Sequence, residues 1–163
     1  MYGRRDPYPA LPIDPDCAPR NSRPLHVRPT PIVAVGIGGL VGTTCRSQLG
    51  LLFPHASGGW PLTTFAINIV GAFLLGVLLE GLSRLGPDTH WRQQVRLLVG
   101  TGMLGSFTTY SALAADTDLL LRGHQWWPAV SYAAGTVLAG LVATAAGIAL
   151  AARLRSQPSE ATR

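Results

Sequence analysis

The residues that could do chemistry stand inside the most apolar stretches of this chain. In GMLGSFTTYSALAAD, residues 102–116, hydroxyls crowd together on Ser106, Thr108, Thr109, Tyr110 and Ser111, and Thr101 lies just before them. Lipid offers a hydroxyl no hydrogen-bond partner, so such groups must face protein or water. The plainest account of any one of them is that it bonds back to its own helix, as Ser and Thr often do. The whole set in one neighbourhood points instead to a polar surface at membrane depth. Gly105 ahead of these hydroxyls invites local unwinding, which is tolerated there only where the backbone is buried in protein or lines a cavity. Carbonyls freed by unwinding could hold a small cation.

Asn68 is a second signal, because a carboxamide near the centre of an apolar helix is costly unless it bonds to another helix or to a ligand. Thr64 lies one turn earlier on the same face. Arg46 falls near the end of an apolar stretch, where it either snorkels to the interface or serves an anion. Asp116 has three open readings: cap for a cation, wall of an aqueous vestibule, or solvated helix end.

Other chemistries find no support. Gly100, Gly102 and Gly105 match a dinucleotide fingerprint by letter, but that motif has meaning only between a strand and a helix of a parallel sheet, and here it interrupts an apolar run. Cys17 and Cys45 have no CxxC spacing and differ in expected depth, so neither a disulfide nor a zinc site is expected. No nucleophile stands with a base inside the apolar stretches, which argues against an enzyme. The net charge of +5 comes from arginines that flank those stretches without clustered aromatics, which argues against a nucleic-acid binder.

Long helices must position these residues. The chain is 47% hydrophobic and only 13% charged, against about a quarter charged in soluble domains. Crossing a bilayer takes roughly 20 mostly apolar residues. Residues 31–52, 62–82, 95–121 and 126–152 meet that test, so the expectation is an all-α membrane protein of four transmembrane helices. The links near 53–61 and 83–94 are short and rich in Gly and Pro, so successive helices run antiparallel. Gly38 and Gly42, four apart, let helices approach closely. Residues 1–30, with proline repeated among Arg and Asp, are expected to be a disordered tail; 31–152 form the membrane domain and 153–163 a polar end. Arginines near the spans set orientation. Arg20, Arg23, Arg28, Arg84, Arg92, Arg96, Arg153 and Arg155 fall on one side against Arg46 and Arg122 on the other, so both termini are expected in the cytoplasm of a multi-pass protein of the cell membrane.

Three blocks carry a resemblance: GGLVGTTCR at 38–46, TTFAINIVGAFLLG at 63–76 and GMLGSFTTYSAL at 102–113. In order and spacing they resemble the CrcB or Fluc family of fluoride channels. The resemblance implies a break in the third helix, and an antiparallel dimer of four-helix subunits with two ion pathways along the interface. Asn68 resembles the pore asparagine and Arg46 the arginine of the first helix. Gly105 and Thr108 match the break whose backbone carbonyls are expected to hold a structural Na+ at the dimer axis. Tyr132 and Thr136 resemble polar positions of the fourth helix. The chain departs from the family at Tyr110 and Leu113, where phenylalanine is usual: Tyr110 keeps an aromatic edge, whereas Leu113 loses the ring.

Fluoride is compact and strongly hydrated, so stripping its water is costly unless donors replace it closely. Asn68, Thr64, Thr136, Ser111 and Tyr110 form the expected line of donors, and ring edges assist without a deep trap. The implied function is passive export of cytoplasmic fluoride, by a homodimer or by a heterodimer with an oppositely oriented homologue. Two alternatives stand beside it. A non-conducting or partly conducting partner subunit of a heterodimeric channel would fit Leu113; a small proton-coupled cation exporter would need an intramembrane carboxylate, and Glu80 and Asp116 are expected near helix ends.

Overall fold

A computed structural model describes residues 29–54, 59–86 and 90–154 of the chain. Most of the expected N-terminal tail, with Cys17, and most of the polar C-terminal end lie outside the described residues. Among the described residues all regular structure is helical: α1 (Pro29–Leu52), α2 (Leu62–Ser83), α3 (His90–Val95), a π-helical stretch (Arg96–Leu104), α4 (Gly105–Phe107), α5 (Tyr110–Arg122) and α6 (Trp126–Leu154). By length and composition α1, α2 and α6 can each cross a membrane. The remaining apolar segment, expected as one span over 95–121, is divided among α3, the π stretch, α4 and α5.

α1 starts on Pro29 and Pro31, which the first turn accepts because its N–H groups have no intrahelical partner. Its buried residues past that turn are Gly38 and Gly42. A Cβ on Gly38 would collide with the Leu98 carbonyl oxygen, and one on Gly42 with the Met103 carbonyl oxygen. α1 therefore lies backbone to backbone along the π stretch and α4, as the glycine spacing predicts. The contacts advance together, Gly38 on Leu98 and Gly102, Gly42 on Met103 and Ser106, so the two run parallel.

α2 and α6 form the second parallel pair. Gly76 leaves room for the Thr144 carbonyl, Gly147 for the Phe73 carbonyl, and the Thr144 hydroxyl donates across to Ala72 O at 3.3 Å. α5 then turns back against α6 through a small core of Leu113, Leu120, Ala129 and Tyr132, with Phe65 packed on it. Outside these seams large apolar side chains such as Leu40, Val70, Leu141 and Val142 are exposed. So extensive an apolar surface is what lipid or a partner subunit covers.

Candidate functional site

The site begins where helix stops. Phe107 ends α4, Thr108 is extended at φ −72° and ψ 156°, Thr109 is extended at φ −150° and ψ 121°, and α5 starts at Tyr110. Gly105 itself stays helical at φ −64°. Two devices on α2 hold the extended residues. Asn68 clasps the Thr109 backbone on both of its polar groups: its Nδ2 donates to Thr109 O at 3.1 Å, and its Oδ1 accepts from Thr109 N at 2.8 Å. One turn on, Gly71 makes room for the Thr108 methyl, which a Cβ would strike. Thr109 then caps α5, its hydroxyl accepting from Ala112 N at 3.1 Å and pairing with Ser111 Oγ at 3.0 Å.

The clasp has a consequence for the turn before it. In an unbroken helix Thr109 N–H would bond to the Gly105 carbonyl; here that donor goes to Asn68. The Gly105 carbonyl thus loses its helical partner beside an exposed glycine, and Thr108 follows in extended form. Carbonyls at the end of an interrupted helix are the oxygen donors that suit Na+. The residues present therefore fit such an ion.

A second polar group lies between α5, α2 and α6. Asp116, 9% exposed, shares the buried stripe of α5 with Leu113 and Leu120. Tyr132, 0% exposed, donates its phenol proton to Asp116 Oδ2 at 3.2 Å. Thr64 interacts with the same phenol. One turn along α6, buried Thr136 donates to Tyr132 O at 2.7 Å. Asp116 was expected near a helix end; it lies midway along α5, which ends at Arg122, and it is buried there.

The expected site residues therefore separate into groups. Tyr132 meets both Asp116 and Thr64, and Thr136 lies one turn along α6, bonded back to Tyr132 O. Asn68, Thr108, Thr109 and Ser111 come together at the extended pair. Tyr110, 82% exposed, edges a groove of about 710 Å³ between α5 and α6, with Leu113 on its wall. Arg46 stays on α1, its buried Nε without a hydrogen-bond partner among the described residues. Two hydroxyls of the crowded segment follow the plainest account: Thr108 donates to Leu104 O at 3.0 Å and Ser106 to Gly102 O at 2.7 Å, the latter also reaching Gly39 O at 3.0 Å. For Asp116, whose sequence readings stayed open, the structure adds burial beside Tyr132. Its spacing from Leu113 and Leu120, on one helical face, was the available signal.

Apolar helices packed backbone to backbone, with polar side chains gathered at a helix interruption, define a helical membrane protein with an internal polar site. A family model described as CrcB-like protein, Camphor Resistance (CrcB), matches residues 33–148, and the chain belongs to that family. Similar proteins include fluoride-specific ion channel FluC 2 of Leifsonia xyli subsp. xyli, 44% identical over 83% of this chain and 92% of that one. Fluoride-specific ion channel FluC 1 of Cutibacterium acnes is 44% identical over 74% of this chain and 88% of that one. Fluoride-specific ion channel FluC of Caulobacter vibrioides is 34% identical over 76% and 96%.

Proposed function

We propose that this chain is a subunit of a fluoride channel that lets cytoplasmic fluoride leave the cell passively. The observation that carries the reading is the Asn68–Thr109 clasp, in a chain whose relatives bear a fluoride-channel name. An amide nitrogen has two protons. With one on Thr109 O, Asn68 keeps one N–H for a passing anion, and the extended pair stays open beside it. Tyr110 adds a ring edge and a hydroxyl donor along the groove. Thr64 and Tyr132 continue the polar lining toward Asp116. No lysine or arginine occurs between Tyr110 and Leu121 or between Trp126 and Ala152, so nothing on those segments traps the anion by charge.

The working unit in this reading is an antiparallel dimer of four-span subunits, the third span being the interrupted segment. Each chain presents its exposed α5 groove to the partner, and the Gly105 and Thr108 carbonyls hold Na+ at the dimer axis. The arginine bias supports one fixed orientation with cytoplasmic termini. A second reading, a poorly conducting partner within a heterodimer, is favoured by Leu113, which is 8% exposed and packed into the core where the family usually has a ring.

Purified protein in liposomes loaded with fluoride or chloride tests the main reading. A fluoride electrode should record rapid loss of fluoride while chloride is retained. Equal passage of both ions would rule out a fluoride channel. Fluoride flux appearing only after an oppositely oriented homologue is added would favour the second reading.

A further inference from the structure

We propose that Trp60 is a positioning residue for the ion pathway, acting through Tyr132; the inference rests on the reading above, in which Tyr132 lines that pathway. Trp60 stands just before α2, where its ring meets that of Tyr132 edge to face, centroids 5.7 Å apart and planes at 74°. The same indole packs on Phe65 at 5.6 Å, which fixes it from the α2 side. Its far edge lies over α6 at Gly135, where an added Cβ would come within 3.6 Å of it. The indole thus lies at ordinary van der Waals reach of α6 one turn beyond Tyr132.

The indole is itself 37% exposed, while the ring it covers is wholly buried. Trp60 is therefore a boundary between the outer surface and the Tyr132–Asp116 bond. A phenol has one proton to donate, and the bond to Asp116 Oδ2 sets where it points. With the indole present the tyrosine ring cannot swing away from α5, and water cannot reach the carboxylate from that side. Without it the ring gains freedom toward the outer surface, the bond to Asp116 competes with water, and Thr64 loses its fixed neighbour. Trp60 itself touches no ion in this scheme.

Two measurements test this on the full-length protein in liposomes, using Trp60→Phe, Trp60→Leu and Trp60→Ala. The first is nitration of Tyr132 by tetranitromethane, read by mass spectrometry. Tyr132 should be protected in the wild type and in Trp60→Phe, and modified in Trp60→Leu and Trp60→Ala. The second is initial fluoride efflux, which should fall by about two- to tenfold in the leucine and alanine variants, the range set by losing one aromatic pair, and recover in the phenylalanine variant. Because Trp60 acts through the phenol, Trp60→Leu should add little to the loss already caused by Tyr132→Phe. Continued protection of Tyr132 in Trp60→Leu, or losses that multiply in the double variant, would overturn the proposal. Should the wild type pass no fluoride, the channel reading falls and nitration alone decides whether Trp60 holds Tyr132. The leucine variant retains apolar bulk, so the comparison survives if Trp60→Ala fails to fold.

Discussion

The interrupted third segment is held on its two sides by different means. Along α1 it is held by shape: Gly38 and Gly42 bring backbone against backbone, and the Ser106 hydroxyl on Gly39 O adds a hydrogen bond at 3.0 Å. Along α2 and α6 it is held by side-chain hydrogen bonds, Asn68 on Thr109 and Tyr132 on Asp116. Lipid removes the hydrophobic drive between helices, leaving close packing and hydrogen bonds as the available forces. Where the segment is continuous helix its own backbone is satisfied and shape suffices. Where it is extended, backbone groups need partners from elsewhere, and those partners are the groups that the proposed function offers to the anion.

The sharpest break in this contrast is Asn68→Ala, which leaves the Thr109 N–H and C=O without their partner. Each orphaned group costs about 1–3 kcal/mol, enough to let the extended pair rearrange. Fluoride efflux should drop to that of protein-free liposomes. Near-normal flux from the alanine variant would mean that the clasp is dispensable and the polar side is not the pathway.

On the α1 side the effect should be structural. Gly42→Ala drives a Cβ into the Met103 carbonyl, a backbone atom that cannot swing aside, at a cost of about 1–3 kcal/mol. Thermal unfolding in detergent should shift down accordingly. Gly39→Ala on the same helix meets nothing within 4 Å and should leave the transition unmoved. Equal shifts in the two variants would show that close packing does not hold this seam.

Asp116→Asn should act more weakly. Asparagine keeps an oxygen for the Tyr132 proton but replaces the other carboxyl oxygen by an NH2 group, which changes what that side of the pocket meets. A stability loss of about 1 kcal/mol is expected. An unchanged transition would show that an amide serves there as well as the carboxyl group.

Much of this was legible before any coordinates. Apolar length marked α1, α2 and α6, and the four-residue glycine spacing marked the α1 seam, because both depend only on local sequence. Asn68 stood out for the same reason: a carboxamide in an apolar helix needs a partner wherever that helix packs. Its partner was not legible. Thr109 is forty-one positions away, and no local preference distinguishes a threonine in extended backbone from one bonding back to its helix, as Thr108 also does. The burial of Asp116 was not legible either. What covers that face of α5 is Tyr132 of α6, sixteen positions away, and local sequence does not name it.

The smallest effect is expected from Leu113→Phe, and it sharpens the contrast because it tests shape on the polar side. Leu113 packs inward on Leu120, Ala129 and Tyr132, yet it also borders the groove that holds Tyr110, Ala114, Val137 and Leu138. Adding ring atoms to a packed core costs about 1–3 kcal/mol when nothing can give. Here the groove gives: the ring can tilt toward some 710 Å³ of open space and lay an aromatic edge beside Tyr110. The variant should fold and should pass fluoride at least as fast as the wild type, measured as initial efflux per milligram of protein. Flux well below wild type from a folded variant would mean that this side, too, is governed by close packing. The division between a seam held by shape and a pathway held by hydrogen bonds would then no longer describe the molecule.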